Sequence, residues 1–290
     1  MLKIGFLGPR GTFSHEAVIA YTEGRKCILC EYNSIPDILF AVEAGELDEA
    51  VVPIENSLEG AVNVTLDILA LEVNLMIKHE LVLAVKQNLM VKKGAKASDI
   101  RHVLSHPQAI GQCRKFIASK FPQAEIELVY STANGAREVS EGDGTSAAIG
   151  SAAAAEAYNL DVLFEGIQDE NNNLTRFVVV SKSDNTRTGS DKTSIVFSTE
   201  DRPGSLYRVL DIFNLWDINM TKIESRPDKK HFGRYMFFVD IEGHRQDQDV
   251  EDALKMVKRK TSFYKFLGSY PKYEGYITGT HENKNLGNTW

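Results

Sequence analysis

From its start to about residue 180, the chain alternates short β-rich runs with helical patterns, and no other feature restricts its fold as strongly. Strands that are each followed by a helix return parallel through crossovers, which predicts an α/β architecture. Residues 3–7 read as a strand halted at Gly8-Pro9-Arg10-Gly11, with a helix following on Ala17, Val18, Ala20 and Tyr21. Ile35–Ala44 places Ile35, Ile38, Leu39 and Val42 at helical spacing and stops at Gly45. Strands are expected at 50–53, 78–85, 101–104 and 147–150, and a strong last one at 176–181. The stretch 107–120 is the clearest helix and 151–158 an alanine-rich one.

Residues 183–191 are polar and aperiodic, which makes them a linker and the best domain boundary. Beyond them the pattern becomes β-α-β-β-α-β: strands at 193–198, 219–225, 235–241 and 263–269, helices at 206–216 and 250–259, and a charged turn through 228–230. That order in about 80 residues is ferredoxin-like. The last twenty residues, rich in Gly, Asn and Thr, read as a loosely held tail. Composition narrows the partners. A net charge of −7 argues against a nucleic-acid surface, and no apolar run reaches the length of a membrane helix. Three cysteines, Cys27, Cys30 and Cys113, suit a reducing cytoplasm better than a disulfide scaffold. Cys27-x-x-Cys30 has no second pair, and its apolar neighbours read as strand core, so no metal is expected there.

Several polar motifs fall where strands end. Gly11, Thr12 and Ser14 open a helix whose free N–H groups suit an anion, although the same residues also make an ordinary capped turn. Glu55, Asn56 and Ser57 follow a short apolar strand and are either ligand groups or caps. Ser105-His106-Pro107-Gln108 opens the 107–120 helix, with Gln108 and Gln112 four apart and Cys113 in the buried stripe. Asn171-Asn172-Asn173-Leu174-Thr175-Arg176-Phe177 precedes the last strand, and chemistry alone does not single out Thr175. Open α/β sheets bind ligands outside the carboxyl ends of their strands, so a small multiply anionic ligand is the bottom-up expectation.

Taken together and in order, Gly8-Pro9-x-Gly11-Thr12-Phe13-Ser14, Pro53-Ile54-Glu55-Asn56-Ser57, Ser105-His106-Pro107-Gln108-Ala109-x-x-Gln112-Cys113 and Thr175-Arg176-Phe177 resemble the prephenate dehydratases of phenylalanine biosynthesis. Gly204-Ser205-Leu206-Tyr207 and Glu224-Ser225-Arg226-Pro227 are similar to the ACT regulatory domain of that family, with Ser205 where Ala is commoner. The resemblance covers about residues 1–270. It implies a two-lobed catalytic domain like a type II periplasmic binding protein over residues 1–182, with lobes of about 1–77 plus 175–182 and of 78–174. A 183–191 linker, an ACT domain at 192–270 and a 271–290 tail follow.

The implied enzyme is monofunctional and decarboxylates and dehydrates prephenate under feedback by L-phenylalanine, without metal or organic cofactor. Catalytic roles fall on Thr175, Ser105, Gln112, Asn56 and Glu55, and substrate contacts on Gly11, Thr12, Ser57, Arg176 and Phe177. Arg176 is the expected carboxylate counter-charge, and Thr175 needs a polarising partner that the sequence does not identify. Effector contacts fall on Gly204, Ser205, Leu206, Asn219, Met220, Glu224 and Ser225, between paired chains of a cytoplasmic homodimer or homotetramer formed through ACT and catalytic domains. The rival readings are an arogenate dehydratase and a non-catalytic amino-acid sensor.

Overall fold

The computed structural model describes residues 1–228, 234–278 and 281–283, and three sheets account for it. In the first, Leu2–Leu7 lies parallel to Cys27–Tyr32 and to Glu49–Asn56, as strand–helix–strand crossovers require. Leu174–Ser181 then inserts antiparallel between Glu49–Asn56 and Met76–Ala84. Serine and threonine caps start the intervening helices. Thr12 accepts from the His15 amide to begin Phe13–Thr22, and Ser34 accepts from the Asp37 amide to begin Ile35–Ala44. Gly45, at φ 81°, ends the second helix in the left-handed conformation that glycine adopts without strain.

The second sheet has the order Leu160–Phe164, Asn88–Lys92, Ser146–Gly150, His102–Ser105, Glu125–Leu128. The chain leaves the first sheet after Ala84 and returns at Leu174, so two crossings join two lobes in a periplasmic-binding-protein-like arrangement. The outward crossing lies beyond the expected residue 78, because Met76–Ala84 pairs along its whole length with Leu174–Ser181. The expected 107–120 helix is two helices, Pro107–Gln112 and Arg114–Lys120. Asp169 divides them: its amide donates to the Gln112 carbonyl at 2.7 Å, and its carboxylate accepts from the Lys115 amide at 3.1 Å. These are backbone groups that a continuous helix would have paired internally.

The third sheet is antiparallel in the order Met220–Pro227, Tyr235–Glu242, Asp191–Ser198, Phe263–Pro271. Helices Ser205–Leu215 and Gln248–Lys260 cover one face through Val209, Phe213, Ala253 and Val257. The other face packs on the first lobe, where Val196, Phe238, Leu267 and Tyr270 share a core with Leu69, Ile77 and Val178. Part of the presumed tail is ordered. Tyr276–Thr278 adds parallel to Met76–Ala84 and buries Ile277 against the first lobe. The expected charged turn lies largely outside the described residues, as do 279–280 and 284–290.

Candidate active site

A cleft of about 370 Å³ opens between the two lobes. The first lobe contributes Thr12, Phe13 and Ser14 from a helix start, with Asn56 at a strand end and Glu59 and Val62 beyond it. The second contributes Gln108 and Gln112 from the helix Pro107–Gln112 with its cap His106, and Tyr130, Ser131 and Thr132 where Thr132–Glu141 begins. Val85, Gln87, Asn173 and Thr175 come from the two crossings.

The crossings are tied by a chain of side-chain amides. Asn56 Nδ2 donates to Thr175 Oγ1 at 2.8 Å and to Asn173 Oδ1 at 2.7 Å. Asn173 Nδ2 and Gln87 Nε2 both donate to Gln112 Oε1, at 3.2 and 3.1 Å. The orientation of Asn56 follows from its other end, where Oδ1 accepts from the amides of Leu58 and Glu59 at 2.9 and 3.0 Å. Its Nδ2 therefore faces Thr175. A hydroxyl that accepts such a bond becomes a better donor of its own proton, because hydrogen bonds in series polarise one another. At the mouth, Gln108 Nε2 of one lobe donates to Glu59 Oε1 of the other at 3.1 Å.

Among the described residues, no lysine or arginine lines the cleft. The opening amides of two ten-residue helices, Phe13–Thr22 and Thr132–Glu141, carry the positive end of a helix dipole to its walls instead. The arrangement suits an anion held by neutral donors.

The structure brings Thr12, Asn56, Gln112 and Thr175 to this cleft, and it places the other expected site residues elsewhere. Ser105 is fully buried and donates to the Ile149 carbonyl at 2.7 Å, tying two strands of the second sheet. Ser57 donates to the Asn172 carbonyl and accepts from the Leu174 amide, so it clamps the segment that carries Thr175. Phe177 belongs to the first-lobe core with Phe6 and Leu83. Gly11 is an interlobe contact. Its φ of 84° favours glycine, a Cβ there would come 2.8 Å from Ala154 Cα, and its carbonyl accepts from Ser151 Oγ at 2.7 Å.

Arg176 and Glu55 point away from the cleft. Burial alone would lower the Arg176 pKa, but Asp240, Tyr270 and Glu80 outweigh it and hold the guanidinium well above its usual range. It is spent on those groups, so it is not a counter-charge in the cleft. Glu55 pairs instead with Lys222 at 2.6 Å. Cys113 is buried in the second-lobe core, and burial pushes its thiol up to about 12, which leaves almost no thiolate at neutral pH. Cys27 and Cys30 are unpaired in an outer strand, and no group of metal-ligating side chains occurs among the described residues.

Gln87, Ser131, Thr132 and Asn173 line the cleft without having been singled out as site residues. Ser131 capping a helix with Ala133, Ala136 and Val139 inside it is the available signal, weakened by the poor helix formers Asn134 and Gly135 in the first turn.

In the C-terminal domain, Gly204, Ser205 and Leu206 border a cavity of about 360 Å³ together with Tyr235 and Phe237. Asn219 and Met220 lie beyond the opposite end of the eleven-residue helix Ser205–Leu215, roughly 16 Å away at 1.5 Å per residue. Ser225 pairs in register with Phe237 on the helix-covered face. Glu224 sits on the other face, between Lys222 and Arg226, whose side chains bond first-lobe carboxylates. A single chain does not bring these seven residues together.

Comparison with known proteins agrees with this architecture. The family model "Prephenate dehydratase" matches residues 4–185 and the model "ACT domain" residues 193–257. The prephenate dehydratase of Mycobacterium bovis is 39% identical over 281 residues, covering 93% of this chain and 87% of that protein. The crystal structure of prephenate dehydratase from Arthrobacter aurescens in complex with L-Phe matches with a TM-score of 0.83 and 38% identity, covering 93% of this chain and 90% of the other. A structure described as a novel type of quorum quenching acylase matches with a TM-score of 0.84 and 29% identity, over 93% and 98% of the two chains.

Proposed function

The chain belongs to the prephenate dehydratase family, and we propose that the interlobe cleft is its active site, with Thr175 as the proton donor. The reaction is the decarboxylating dehydration of prephenate to phenylpyruvate, CO2 and water in phenylalanine biosynthesis. The ring carboxylate leaves as CO2, its bonding electrons move through the diene, and the 4-hydroxyl departs, made into water by one proton. Aromatisation drives the step, so the protein's task is to orient a dianion and deliver that proton.

The observation that carries this reading is the Asn56-to-Thr175 hydrogen bond at 2.8 Å, facing a cleft without lysine or arginine among the described residues. Asn56 is the polarising partner that a threonine donor needs. The helix starts at Thr12–Ser14 and Ser131–Thr132 hold the substrate's carboxylates, and Gln112 fixes the amide chain on the second lobe. The test is Thr175→Val, which keeps the side-chain shape and removes the hydroxyl. Its kcat for phenylpyruvate formation falls about 10²–10³-fold, typical for losing one preorganised donor, while its unfolding midpoint stays within a few degrees. Unchanged kcat refutes the assignment. Wild-type turnover of arogenate or an N-acyl amide in preference to prephenate would redirect the substrate.

L-Phenylalanine regulates the enzyme through the ACT domain. Its site lies between two ACT domains of a homodimer or homotetramer acting in the cytoplasm. A two-fold partner sets its own Asn219 and Met220 against the Gly204–Leu206 end, the two groups that one chain holds apart. The exposed Ile223 and Tyr235 on the neighbouring strands supply apolar surface for that pairing.

A further inference from the structure

Thr175 and Arg176 are consecutive in one strand, so their side chains leave opposite faces of the sheet. Asn56 and Glu55 are consecutive in the neighbouring strand, and the register pairs Thr175 with Asn56 and Arg176 with Glu55. One face of this four-residue unit therefore carries the Asn56–Thr175 hydrogen bond into the cleft. The other face meets the ACT domain. Arg176 Nη1 lies 2.7 Å from Asp240 Oδ2 and its Nη2 2.9 Å from the Tyr270 hydroxyl, while its Nε donates to Glu80 of the first lobe at 2.7 Å. Glu55 Oε2 accepts from Lys222 at 2.6 Å.

Three of these partners, Asp240, Tyr270 and Lys222, belong to the ACT domain. Asp240 and Tyr270 are themselves locked together by Ser194, at 2.5 and 2.6 Å, so they move as one body. A buried ionic cluster is weak evidence for stability, since apolar residues of similar volume pack as well, and its distinctive property is directional grip. The register with Glu49–Asn56 shifts between Arg176 and Phe177, which separates the gripped residues from the rigid core that begins at Phe177.

We propose that Glu55 and Arg176 are positioning residues through which the ACT domain sets the Asn56–Thr175 hydrogen bond, so that effector binding is read at the proton donor through the thickness of one strand pair. This rests on the cleft reading above. Because an effector shifts only an equilibrium that it binds unequally, the ACT domain must hold Asp240, Tyr270 and Lys222 in two placements relative to the strands.

The test uses the full-length chain as Lys222→Met, Asp240→Asn, the double variant and the conservative Lys222→Arg. Three quantities are measured: the L-phenylalanine dissociation constant by calorimetry, kcat and KM for prephenate with and without saturating L-phenylalanine, and amide exchange over 49–56 and 174–181. Effector coupling is typically 5–150-fold, and in Lys222→Met and Asp240→Asn it shrinks at least about fivefold while the dissociation constant stays within about threefold. Lys222→Arg retains the coupling. In the wild type L-phenylalanine alters exchange in both strands, and in the double variant it does not. Destabilisation alone would lower the unfolding midpoint and leave the coupling ratio unchanged. Wild-type coupling in the double variant with the effector bound overturns the proposal, as does an absence of effector-dependent exchange in the wild-type strands. The exchange readout needs no turnover, so a failure of the cleft reading would show separately, as kcat unchanged in Thr175→Val beside an intact strand response. Glu55 is partly exposed and stays solvated when Lys222 is changed, so Lys222→Met decides the question even if Asp240→Asn does not fold.

Discussion

Glu16→Gln isolates a charge buried at the joint between the lobes. Glu16 stands in the first-lobe helix Phe13–Thr22 with 2% of its surface exposed, and its Oε1 accepts from the Ala153 amide at 3.0 Å, at the start of the second-lobe helix Ala152–Ala157. Burial pushes the carboxyl up to about 7 from 4.5, against the opposing pull of the Ala153 and Ala152 amides and the Ser151 hydroxyl. A folded-state pKa above the unfolded value means that stability is fully present below about 4.5 and is lost as pH rises through about 7. The gap of about 2.5 pKa units, at about 1.4 kcal/mol each, makes the loss on the order of 3 kcal/mol. Glutamine imitates the protonated acid and keeps an oxygen for the Ala153 amide. Its variant should therefore match the wild type near pH 4.5 and exceed it by about 3 kcal/mol above pH 8. Urea unfolding of both proteins at the two pH values, followed by circular dichroism, supplies the comparison. A stability difference that does not change with pH, or a glutamine variant less stable at pH 8, refutes the reasoning.

Two further expectations concern the regulatory domain. Gly204 has φ 76°, and valine there is strained and narrows the cavity at the helix start; Gly204→Val should turn over prephenate while its midpoint for L-phenylalanine inhibition rises by about tenfold or more. An unchanged midpoint moves the effector site elsewhere. At Gly268, where φ is 146°, an added Cβ would collide with the Ile77 carbonyl oxygen of the first lobe; Gly268→Ala should lower stability by about 1–3 kcal/mol in thermal unfolding, and an unaltered midpoint would show that the domains are not packed this closely.

Much of the architecture is legible along the chain. Alternating strands and helices dictate the α/β lobes, the change of pattern beyond residue 190 marks the ferredoxin-like domain, and Gly45 marks a helix end. These are local matters, decided by periodicity and by backbone conformations open to few residue types. The site was legible as a set of strand-end motifs but not as a set of directions. Asp169, far along the chain from Cys113, divides a helix whose own spacing is continuous, and Ser105 spends its hydroxyl on a neighbouring strand's carbonyl. The two-residue period of a strand does say that Thr175 and Arg176, like Asn56 and Glu55, must part to opposite faces. Which face becomes cleft and which becomes domain interface depends on what is packed there, and those partners, Gln112 and Asn173 on one side and Asp240, Tyr270 and Lys222 on the other, arrive only when distant segments fold onto the same sheet.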